Sequence, residues 1–262
     1  MCLECGCSET GDVTIDGHKM EHHHDDNDNH HHHTHQTEDK SGREISIQRD
    51  ILSKNNELAQ HNREHLQAQK VFCMNWISAP GSGKTALLER IIQEYGTVLP
   101  ISVIEGDQQT DNDAQRIVKA GADAVQINTG AACHLDANMI HHALHRINLQ
   151  QTRLLVIENV GNMVCPTAYD LGEDLKVAII SAPEGEDKPV KYPDLLLTAN
   201  VLLINKIDLI PYLDFNLENC ITLSKKVNPQ IKIFPVSAKT GEGLQAFYDW
   251  ITSLSHHLEP SV

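Results

Sequence analysis

One glycine-rich stretch sets the architecture expected of this chain: Ser78-Ala79-Pro80-Gly81-Ser82-Gly83-Lys84-Thr85. It follows an apolar run with strand character at 71–77 and precedes an apolar run with helical spacing at 86–92. A strand, a glycine-rich loop and a helix in this order form the phosphate-binding loop of P-loop proteins. The sequence therefore predicts an α/β fold in which nucleotide phosphates bind at this turn.

The residue types of the loop suit a phosphate group. The segment from Gly81 to Lys84 lets successive backbone N–H groups point into one concave nest, and the helix N-terminus adds its positive dipole end. Lys84 is expected to reach the β- and γ-phosphates, and the Thr85 hydroxyl to hold Mg²⁺. The motif G-x-x-x-x-G-K-[ST] starts with a glycine where this chain has Ser78, a position that contributes nothing to the nest. An ordinary glycine turn is the alternative.

Length, charge and composition limit the class of protein. The 262 residues suffice for one α/β domain and a tail, and the net charge of −15 disfavours nucleic acid as a partner, because its phosphates need a basic surface. We find no signal peptide and no apolar stretch approaching the roughly twenty residues of a membrane span. We therefore expect a cytoplasmic protein without a membrane partner, whose seven cysteines have metal or core roles.

Residues 1–40 are rich in cysteine and histidine. Cys2, Cys5 and Cys7 lie close enough in sequence to bind one soft or borderline cation, with the α-amino group as a further ligand. Nine of the seventeen histidines fall in this segment, mostly at 22–24 and 30–35 among aspartates. Its low complexity predicts disorder, and imidazoles in excess favour Ni²⁺, Cu²⁺ or Zn²⁺. We interpret it as a metal-binding tail that is largely disordered. A tail without function or a purification tag are the alternatives.

Beyond the tail, helical and strand patterns alternate. The segment from Ile45 to about Gln69 has a weak apolar stripe, interrupted by Asn55 and Asn62, and is expected to form a helix at 41–70 that packs on the domain edge. A coiled-coil role is the alternative for it. Further strands are expected at 101–104, 124–128, 154–157, 177–180, 201–204 and 231–236. Together with 71–77 they predict a mostly parallel sheet flanked by helices.

Acidic residues stand at the C-terminal ends of two of these strands. Asp107 follows the strand after the loop helix, and Glu158 ends a fully apolar strand with Gly161 three residues later. In nucleotide switches such an acid acts on Mg²⁺ through water, and the glycine N–H contacts the γ-phosphate. We expect Asp107, Glu158 and Gly161 to act with Lys84 and Thr85 in catalysis. A solvated turn is the alternative for Asp107.

A second metal site is expected near residues 158–162, the switch segment. Cys133 and His134 directly precede a helix expected at 135–148, whose dipole favours the thiolate, and Cys165 stands four residues after Gly161. If Cys133, His134 and Cys165 share a metal, that metal is tied to the segment that senses the γ-phosphate. On the same helix His141, His142 and His145 are expected to face outward, and a solvated face is favoured there over a metal site.

Two further segments have the chemistry of a guanine site. Asp208 can accept from the N1–H and N2–H₂ groups of guanine while Lys206 packs along the ring, Asn205 braces the loop and the Ala238 N–H reaches O6. Adenine would leave Asp208 unpaired, so GTP is expected in preference to ATP. The segments, each following an apolar strand, are Asn205-Lys206-Ile207-Asp208 and Ser237-Ala238-Lys239.

Together these motifs resemble the regulatory GTPases of the P-loop class, with a GTPase domain at 71–262. With the cysteines and His134, the chain closely resembles the HypB family, the nickel-incorporation GTPases of nickel-iron hydrogenase maturation. The resemblance implies a seven-stranded sheet, slow GTP hydrolysis to GDP, homodimerisation on nucleotide binding, and metal at Cys133, His134 and Cys165, for which Ni²⁺ and Zn²⁺ are both suited. No glutamine follows Gly161, and Glu158 replaces the aspartate of most small GTPases, so fast hydrolysis is not expected.

The resemblance also implies partners. Nickel would be delivered to the hydrogenase large subunit with the help of a small zinc-containing accessory protein and a nickel-donating chaperone. A related GTPase for another nickel enzyme, such as urease, is an alternative, although those proteins carry a Cys-Pro-His arrangement. A nickel storage protein is a second alternative, and a small-molecule kinase is disfavoured by the guanine-type segments.

Overall fold

The computed structural model describes residues 13–20, 40–108 and 112–255, with side chains of the first long helix described from residue 50. Cys2, Cys5, Cys7 and the histidine runs of the predicted tail lie outside the described residues. A sheet in the order β2-β1-β5-β4-β6-β3-β7-β8-β9 forms the centre. Its strands are β1 Thr14–Ile15, β2 His18–Lys19, β3 Phe72–Ser78, β4 Ile101–Asp107, β5 Asp123–Asn128, β6 Leu154–Glu158, β7 Leu175–Ser181, β8 Val201–Asn205 and β9 Lys232–Pro235.

The parallel part of the sheet matches the prediction from sequence. β3 to β9 coincide with the seven expected strands and pair in parallel throughout. Their apolar side chains alternate between two buried faces, which is the pattern of a sheet covered by helices on both sides. The P-loop α/β fold is therefore confirmed, and the carboxyl ends of β3, β4, β6 and β8 lie at one edge.

A short hairpin adds two strands to the expected sheet. Residues 13–20 belong to the tail that was predicted to be largely disordered, yet β1 and β2 pair with each other, and β1 pairs antiparallel with β5. Asp16 and Gly17 both have positive φ, as a two-residue hairpin turn requires, and Ile15 is buried against the sheet. The described part of the chain thus has nine strands where seven were expected.

Helices cover both faces of the sheet. α1 and α4 lie with α6 and α7 on one face, and α2, α3 and α8 lie on the other. α4 is shorter than the predicted 135–148, because Asp136 caps its start and its last turn tightens into i→i+3 bonds. None of the described helices could cross a bilayer. The helices are α1 Lys40–Ala68, α2 Lys84–Tyr95, α3 Asn112–Ala120, α4 Ala137–Leu144, α5 Lys188–Lys191, α6 Pro193–Thr198, α7 Leu217–Val227 and α8 Leu244–Ser255.

Two asparagines attach α1 to the domain. Asn55 donates to the Asp170 carbonyl at 2.8 Å and accepts from the Ala137 N–H at 2.9 Å. Asn62 is fully buried, and its Nδ2 donates to the carbonyls of Ala137 (2.8 Å) and Leu171 (3.2 Å). Both residues interrupt the apolar stripe, as the sequence indicates, but they satisfy backbone groups at the buried face.

We expect Asn62→Leu to lower the free energy of unfolding by about 2–4 kcal/mol, because two buried carbonyls lose their donor. For a domain of this size, thermal unfolding should begin roughly 5–10 °C earlier. Asn56, the exposed neighbour on the same helix, provides the control: Asn56→Leu should change stability by less than about 0.5 kcal/mol. Equal losses in the two variants would show that the Asn62 contacts do not stabilise the docking of α1.

Candidate functional site

The phosphate loop joins β3 to α2 with the geometry that its glycines predict. Gly81 and Gly83 have φ of 76° and 92°, in the left-handed region that other residues avoid. A Cβ on Gly83 would also lie 2.8 Å from Asn205 Nδ2, so the loop can approach β8 only with glycine there. The loop borders a cavity of about 470 Å³ that is also lined by the ends of β4 and β6. This cavity is the candidate site for nucleotide phosphates.

Ser78, which replaces the first motif glycine, positions the loop lysine. Its buried Oγ accepts from Lys84 Nζ at 3.0 Å and from Ser82 Oγ at 2.5 Å, and donates to the Ala79 carbonyl at 2.8 Å. Lys84 is only 8% exposed. The serine therefore holds the lysine inside the loop, from which the ammonium group can turn toward a phosphate. This role was missed because the motif alone assigns no function to that position.

A pair of buried carboxyl groups adjoins the loop. Glu158 Oε1 accepts from Thr85 Oγ1 at 2.8 Å, as the prediction of a joint role for these residues requires. Glu105 is in register with Glu158 on the neighbouring strand, so the two buried carboxyl groups lie side by side. Glu105 was passed over in favour of Asp107, although a carboxylate inside an otherwise apolar strand is itself a signal of a site.

Both carboxyl groups are electrostatically costly. Burial raises the pKa of Glu105 well above its ordinary value, and the nearby Glu158 charge raises it further. Burial also raises the pKa of Glu158, against the opposing effect of the Lys84 ammonium. The Oε2 atoms of Glu105 and Glu158 have no hydrogen-bond partner among the described residues. Buried carboxylate oxygens beside a threonine hydroxyl fit a hard divalent cation, so this donor set suits Mg²⁺.

Asp107 lines the same cavity at a more open position. Its Oδ1 accepts from the Gln108 N–H at 2.7 Å, which fixes the carboxylate at the cavity rim. Asp113 and Arg116 of α3 also line the cavity and form an ion pair at 2.8 Å. No motif marks this pair in the sequence, since the packing of α3 beside β4 brings it to the loop.

Asn205 connects the phosphate loop with both guanine-type segments. It is fully buried, and its Nδ2 donates to the Ser82 carbonyl at 2.9 Å. Its Oδ1 accepts from the N–H groups of Lys206 (2.8 Å) and Ala238 (3.1 Å). The predicted bracing role thus has a specific geometry. The expectation for Ala238 differs in one respect, because its N–H is bonded to Asn205 in this structure.

The remaining base-reading residues lie at the surface next to Asn205. Asp208 Oδ1 accepts from Ser237 Oγ at 2.6 Å, which orients the carboxylate that was predicted to contact guanine. The backbone of Lys206 is in the left-handed region, with φ of 61°. Its Nζ donates to the Gly81 carbonyl at 2.6 Å, so the side chain extends back over the phosphate loop. Lys239 is exposed, and its carbonyl accepts from Arg90 of α2.

Cys133 and His134 lie together on the turn before α4. Cys133 Sγ is 3.8 Å from His134 Nδ1, and the His134 ring stacks on Tyr169 with centroids 3.9 Å apart. Burial lowers the pKa of His134, which keeps the imidazole neutral and able to bind a metal. Cys165 is half-buried at the start of the short 3₁₀ helix Cys165–Ala168. No three Cys, His or carboxylate side chains converge into a metal site within the described ranges, so these ligands are not assembled in this structure.

Two asparagines bond the switch segment to that turn. Asn159 Oδ1 accepts from the Leu135 N–H at 3.2 Å, and Asn162 Nδ2 donates to the Cys133 carbonyl at 3.4 Å. Between them, a Cβ on Gly161 would lie 3.0–3.2 Å from Pro80 of the phosphate loop. The residues that follow Glu158 therefore contact the phosphate loop on one side and the Cys133 turn on the other.

The chain is similar to proteins of known family. Residues 74–235 match the family model described as CobW/HypB/UreG, nucleotide-binding domain. Hydrogenase maturation factor HypB of Rhizobium leguminosarum bv. viciae is 54% identical over 207 residues, which span 79% of this chain and 69% of the relative. The HypB of Escherichia coli (strain K12) is 48% identical over 218 residues, covering 83% of this chain and 75% of the relative.

A solved structure agrees with these matches. The crystal structure of HypB from Helicobacter pylori in complex with nickel has a TM-score of 0.75 and 35% sequence identity to this chain. The similarity covers 80% of this chain and 98% of that one.

The carboxyl pair gives a prediction for stability. A carboxyl group with a raised pKa binds more protons in the folded chain, so without Mg²⁺ the free energy of unfolding should fall as the pH rises above about 4.5. We expect Glu105→Gln to remove part of this fall, because its amide can donate to Glu158. At neutral pH the melting temperature without metal should rise by about 2–6 °C, corresponding to roughly 1–2 kcal/mol.

The same variant should weaken Mg²⁺-dependent nucleotide binding at least about tenfold, or roughly 1.4 kcal/mol, because a cation ligand is lost. Thermal scans from pH 4 to pH 8 and nucleotide titrations with and without Mg²⁺ measure both effects. Glu57→Gln, at an exposed position on α1, serves as the control. A Glu105→Gln chain with unchanged Mg²⁺ dependence would exclude Glu105 from the cation site.

Proposed function

Since the chain belongs to the CobW/HypB/UreG family, and within it to the hydrogenase maturation factors HypB, we propose that it is a GTP-hydrolysing nickel metallochaperone. It inserts nickel into the hydrogenase large subunit during maturation of that enzyme. One contact supports this function most directly: Asn162 of the switch segment donates to the carbonyl of Cys133, a candidate nickel ligand. This hydrogen bond supports a coupling between the proposed nucleotide site and the proposed metal ligands.

GTP binds with its phosphates in the loop and its base between the two guanine-type segments. Lys84 leaves Ser78 for the β- and γ-phosphates, and the nest of N–H groups from Gly81 onward binds the remaining oxygens. Asp208, held by Ser237, accepts from the N1–H and N2–H₂ of guanine, a pairing that adenine cannot form. Asn205 keeps the phosphate loop and the base-reading segments at a fixed distance from each other.

Hydrolysis is slow, since Asn162 follows Gly161 where a fast GTPase would carry a water-orienting glutamine. Thr85, Glu158 and Glu105, with Asp107 at the rim, would hold Mg²⁺. Bound there, the cation neutralises charge that develops on the phosphates. Glu158 stays anchored through Thr85, and the N–H of Gly161 contacts the γ-phosphate from beside Pro80. Loss of the γ-phosphate releases this glycine and with it the segment up to Cys165.

Nickel binds at Cys133, His134 and Cys165. Movement of Gly161 shifts Asn162 and Cys165 relative to Cys133, so nickel affinity differs between the GTP and GDP states. Linkage then requires nickel to change nucleotide affinity or dimerisation by the same factor. Zn²⁺ suits the same ligands, because thiolate and imidazole do not separate the two metals strongly. Cys2, Cys5, Cys7 and the tail histidines bind or store nickel before transfer.

The protein acts as a homodimer on nucleotide binding, in the cytoplasm. Val164, next to Cys165, is a large apolar side chain that is 48% exposed, which suits a subunit interface beside the metal ligands. A small zinc-containing accessory protein and a nickel-donating chaperone supply the metal, and the hydrogenase large subunit accepts it.

Base selectivity tests the assignment of the nucleotide. We expect Asp208→Asn to weaken GTP binding at least about 100-fold, or roughly 2.7 kcal/mol, because an amide donor then faces the donors of guanine. Xanthosine triphosphate, with an acceptor at C2, should bind the variant more tightly than it binds the unaltered chain. Calorimetric titration with GTP, XTP and ATP measures this. Equal GTP affinity in the two chains, or preferred ATP binding, would contradict the guanine assignment.

The coupling between nucleotide state and nickel affinity is tested in a full-length variant, the tail-substituted chain. In this variant Cys2, Cys5 and Cys7 are changed to Ser, and the histidines at 22–24, 30–33 and 35 are changed to Asn. We expect its nickel affinity to differ about tenfold between GDP and a non-hydrolysable GTP analogue, within the usual range of allosteric coupling. Cys165→Ser should abolish the difference and leave GTP affinity unchanged. Equilibrium dialysis with Ni²⁺ and Zn²⁺ provides the measurement.

Cys220→Ser is the control for that experiment, because this thiol is buried on α7 and does not line the nucleotide cavity. It should keep the full nucleotide dependence. If nickel binds the tail-substituted chain equally with both nucleotides, the metal is not gated by GTP, since a ligand with no differential affinity shifts nothing. Loss of GTP binding in folded Cys165→Ser would likewise overturn the separation of the two sites.

A further inference from the structure

Four histidines meet where α1 packs on α4. His61 and His65 stand four residues apart on α1. His141 lies on α4 and His145, four residues later, caps the C-terminal end of that helix, so each pair lies on one helix face. The two pairs face each other: ring centroids are 5.2 Å apart for His61 and His141, and 6.2 Å apart for His65 and His145. Two i, i+4 histidines on one helix face form a common half-site for transition metals.

Asn62 fixes the tautomer of the central imidazole. Its Nδ2 faces the carbonyls of Ala137 and Leu171, so its Oδ1 is the atom directed toward His141 Nδ1, 3.3 Å away. An amide oxygen can only accept, which places the His141 proton on Nδ1 and leaves a lone pair on Nε2. A buried acceptor behind the ring of a histidine is the usual support of a metal ligand.

The two α4 nitrogens already have the spacing of a chelate. His145 Nε2 lies 3.4 Å from His141 Nε2. Two nitrogens bound to one tetrahedral ion at about 2.0–2.1 Å are separated by about 3.3–3.4 Å. Without an ion, the pair makes one long hydrogen bond if His145 carries its proton on Nε2. His145 is exposed, so its ring can take either tautomer.

We propose that His141 and His145, completed by His61 or His65, form a transition-metal site that bridges α1 and α4. In the described part of the chain no three such side chains already converge, so the third ligand arrives by rotation of the half-buried His65 or the exposed His61. Imidazole ligands select Ni²⁺, Cu²⁺ or Zn²⁺ over Mg²⁺. Burial and the neighbouring imidazoles lower the pKa of His65 and His141, which keeps both neutral at pH 7.

This site is separate from the one proposed at Cys133, His134 and Cys165. His141 stands seven residues after His134, and the helical part of that path alone, from Ala137 to His141, spans about 6 Å at 1.5 Å per residue. Its ligands come from α1 and from the C-terminal half of α4, neither of which lines the nucleotide cavity. From the sequence, the helix face that carries His141 and His145 was predicted to be solvated, because the second pair of histidines, on α1, lies far away in the chain.

The test uses the tail-substituted chain with Cys133→Ser and Cys165→Ser added, so that the thiol ligands are removed. Equilibrium dialysis with Cu²⁺ or Ni²⁺ alone should show one equivalent of bound metal per chain. The affinity for this equivalent should fall at least about 100-fold in the double variant His141→Gln/His145→Gln. His61→Gln/His65→Gln should weaken it at least about tenfold, as loss of the third ligand requires. His18→Gln, exposed on β2, should leave this equivalent unchanged. The bound metal should also slow amide hydrogen exchange in residues 52–68 of α1.

Several outcomes would overturn the site. Unchanged affinity in folded His141→Gln/His145→Gln excludes it, and unchanged affinity in His61→Gln/His65→Gln excludes a bridge between the helices. Equal amide hydrogen exchange in residues 52–68 with and without metal also excludes a bridge between the helices. Nucleotide-dependent nickel binding, measured in the tail-substituted chain with its cysteines intact, should survive both double variants. Failure of the bridging site is thereby distinguishable from failure of the GTP-gated site.

Discussion

Two carboxyl groups held side by side in the interior, those of Glu105 and Glu158, constrain the whole nucleotide site. The register of β4 and β6 places them together, and the hydrogen bond from Thr85 ties them to the phosphate loop. Without a cation this arrangement is unfavourable, as the raised pKa of both groups indicates. A ligand that brings a cation relieves that cost only in the bound state. The same feature that destabilises the free chain thus makes its conformation responsive to ligand.

The features predicted correctly from the sequence are those set by residues close together in the chain. The phosphate loop and the seven parallel strands each depend on residues adjacent in the chain, so spacing was enough to predict them, whereas the chemistry expected of the guanine-type segments stays a prediction. The position of Glu105 could not be judged in the same way, because its significance depends on Glu158 in a neighbouring strand. Ser78 is a similar case, since its role is visible only once Lys84 folds back onto it.

The misjudged segments have physical explanations. The Asp16-Gly17 turn is a recognisable hairpin signal, but β1 and β2 have two residues each and depend on pairing with β5 and on the burial of Ile15. Asn55 and Asn62 were counted as breaks in an apolar stripe because periodicity measures polarity alone. Their partners are backbone groups of other elements, and a buried amide that satisfies such groups is as much a part of the packed face as a leucine.

α4 connects these features into one mechanical unit. The turn before it carries Cys133 and His134 and is bonded to the switch segment through Asn159, while its C-terminal end faces α1 through His141 and the cap residue His145. An eight-residue helix spans about 12 Å and moves as a rigid rod. A metal ion that holds its C-terminal half against α1 therefore restricts the positions available to the Cys133 turn. Because coupling between sites is reciprocal, the nucleotide that repositions this turn would also act on the histidines at the other end.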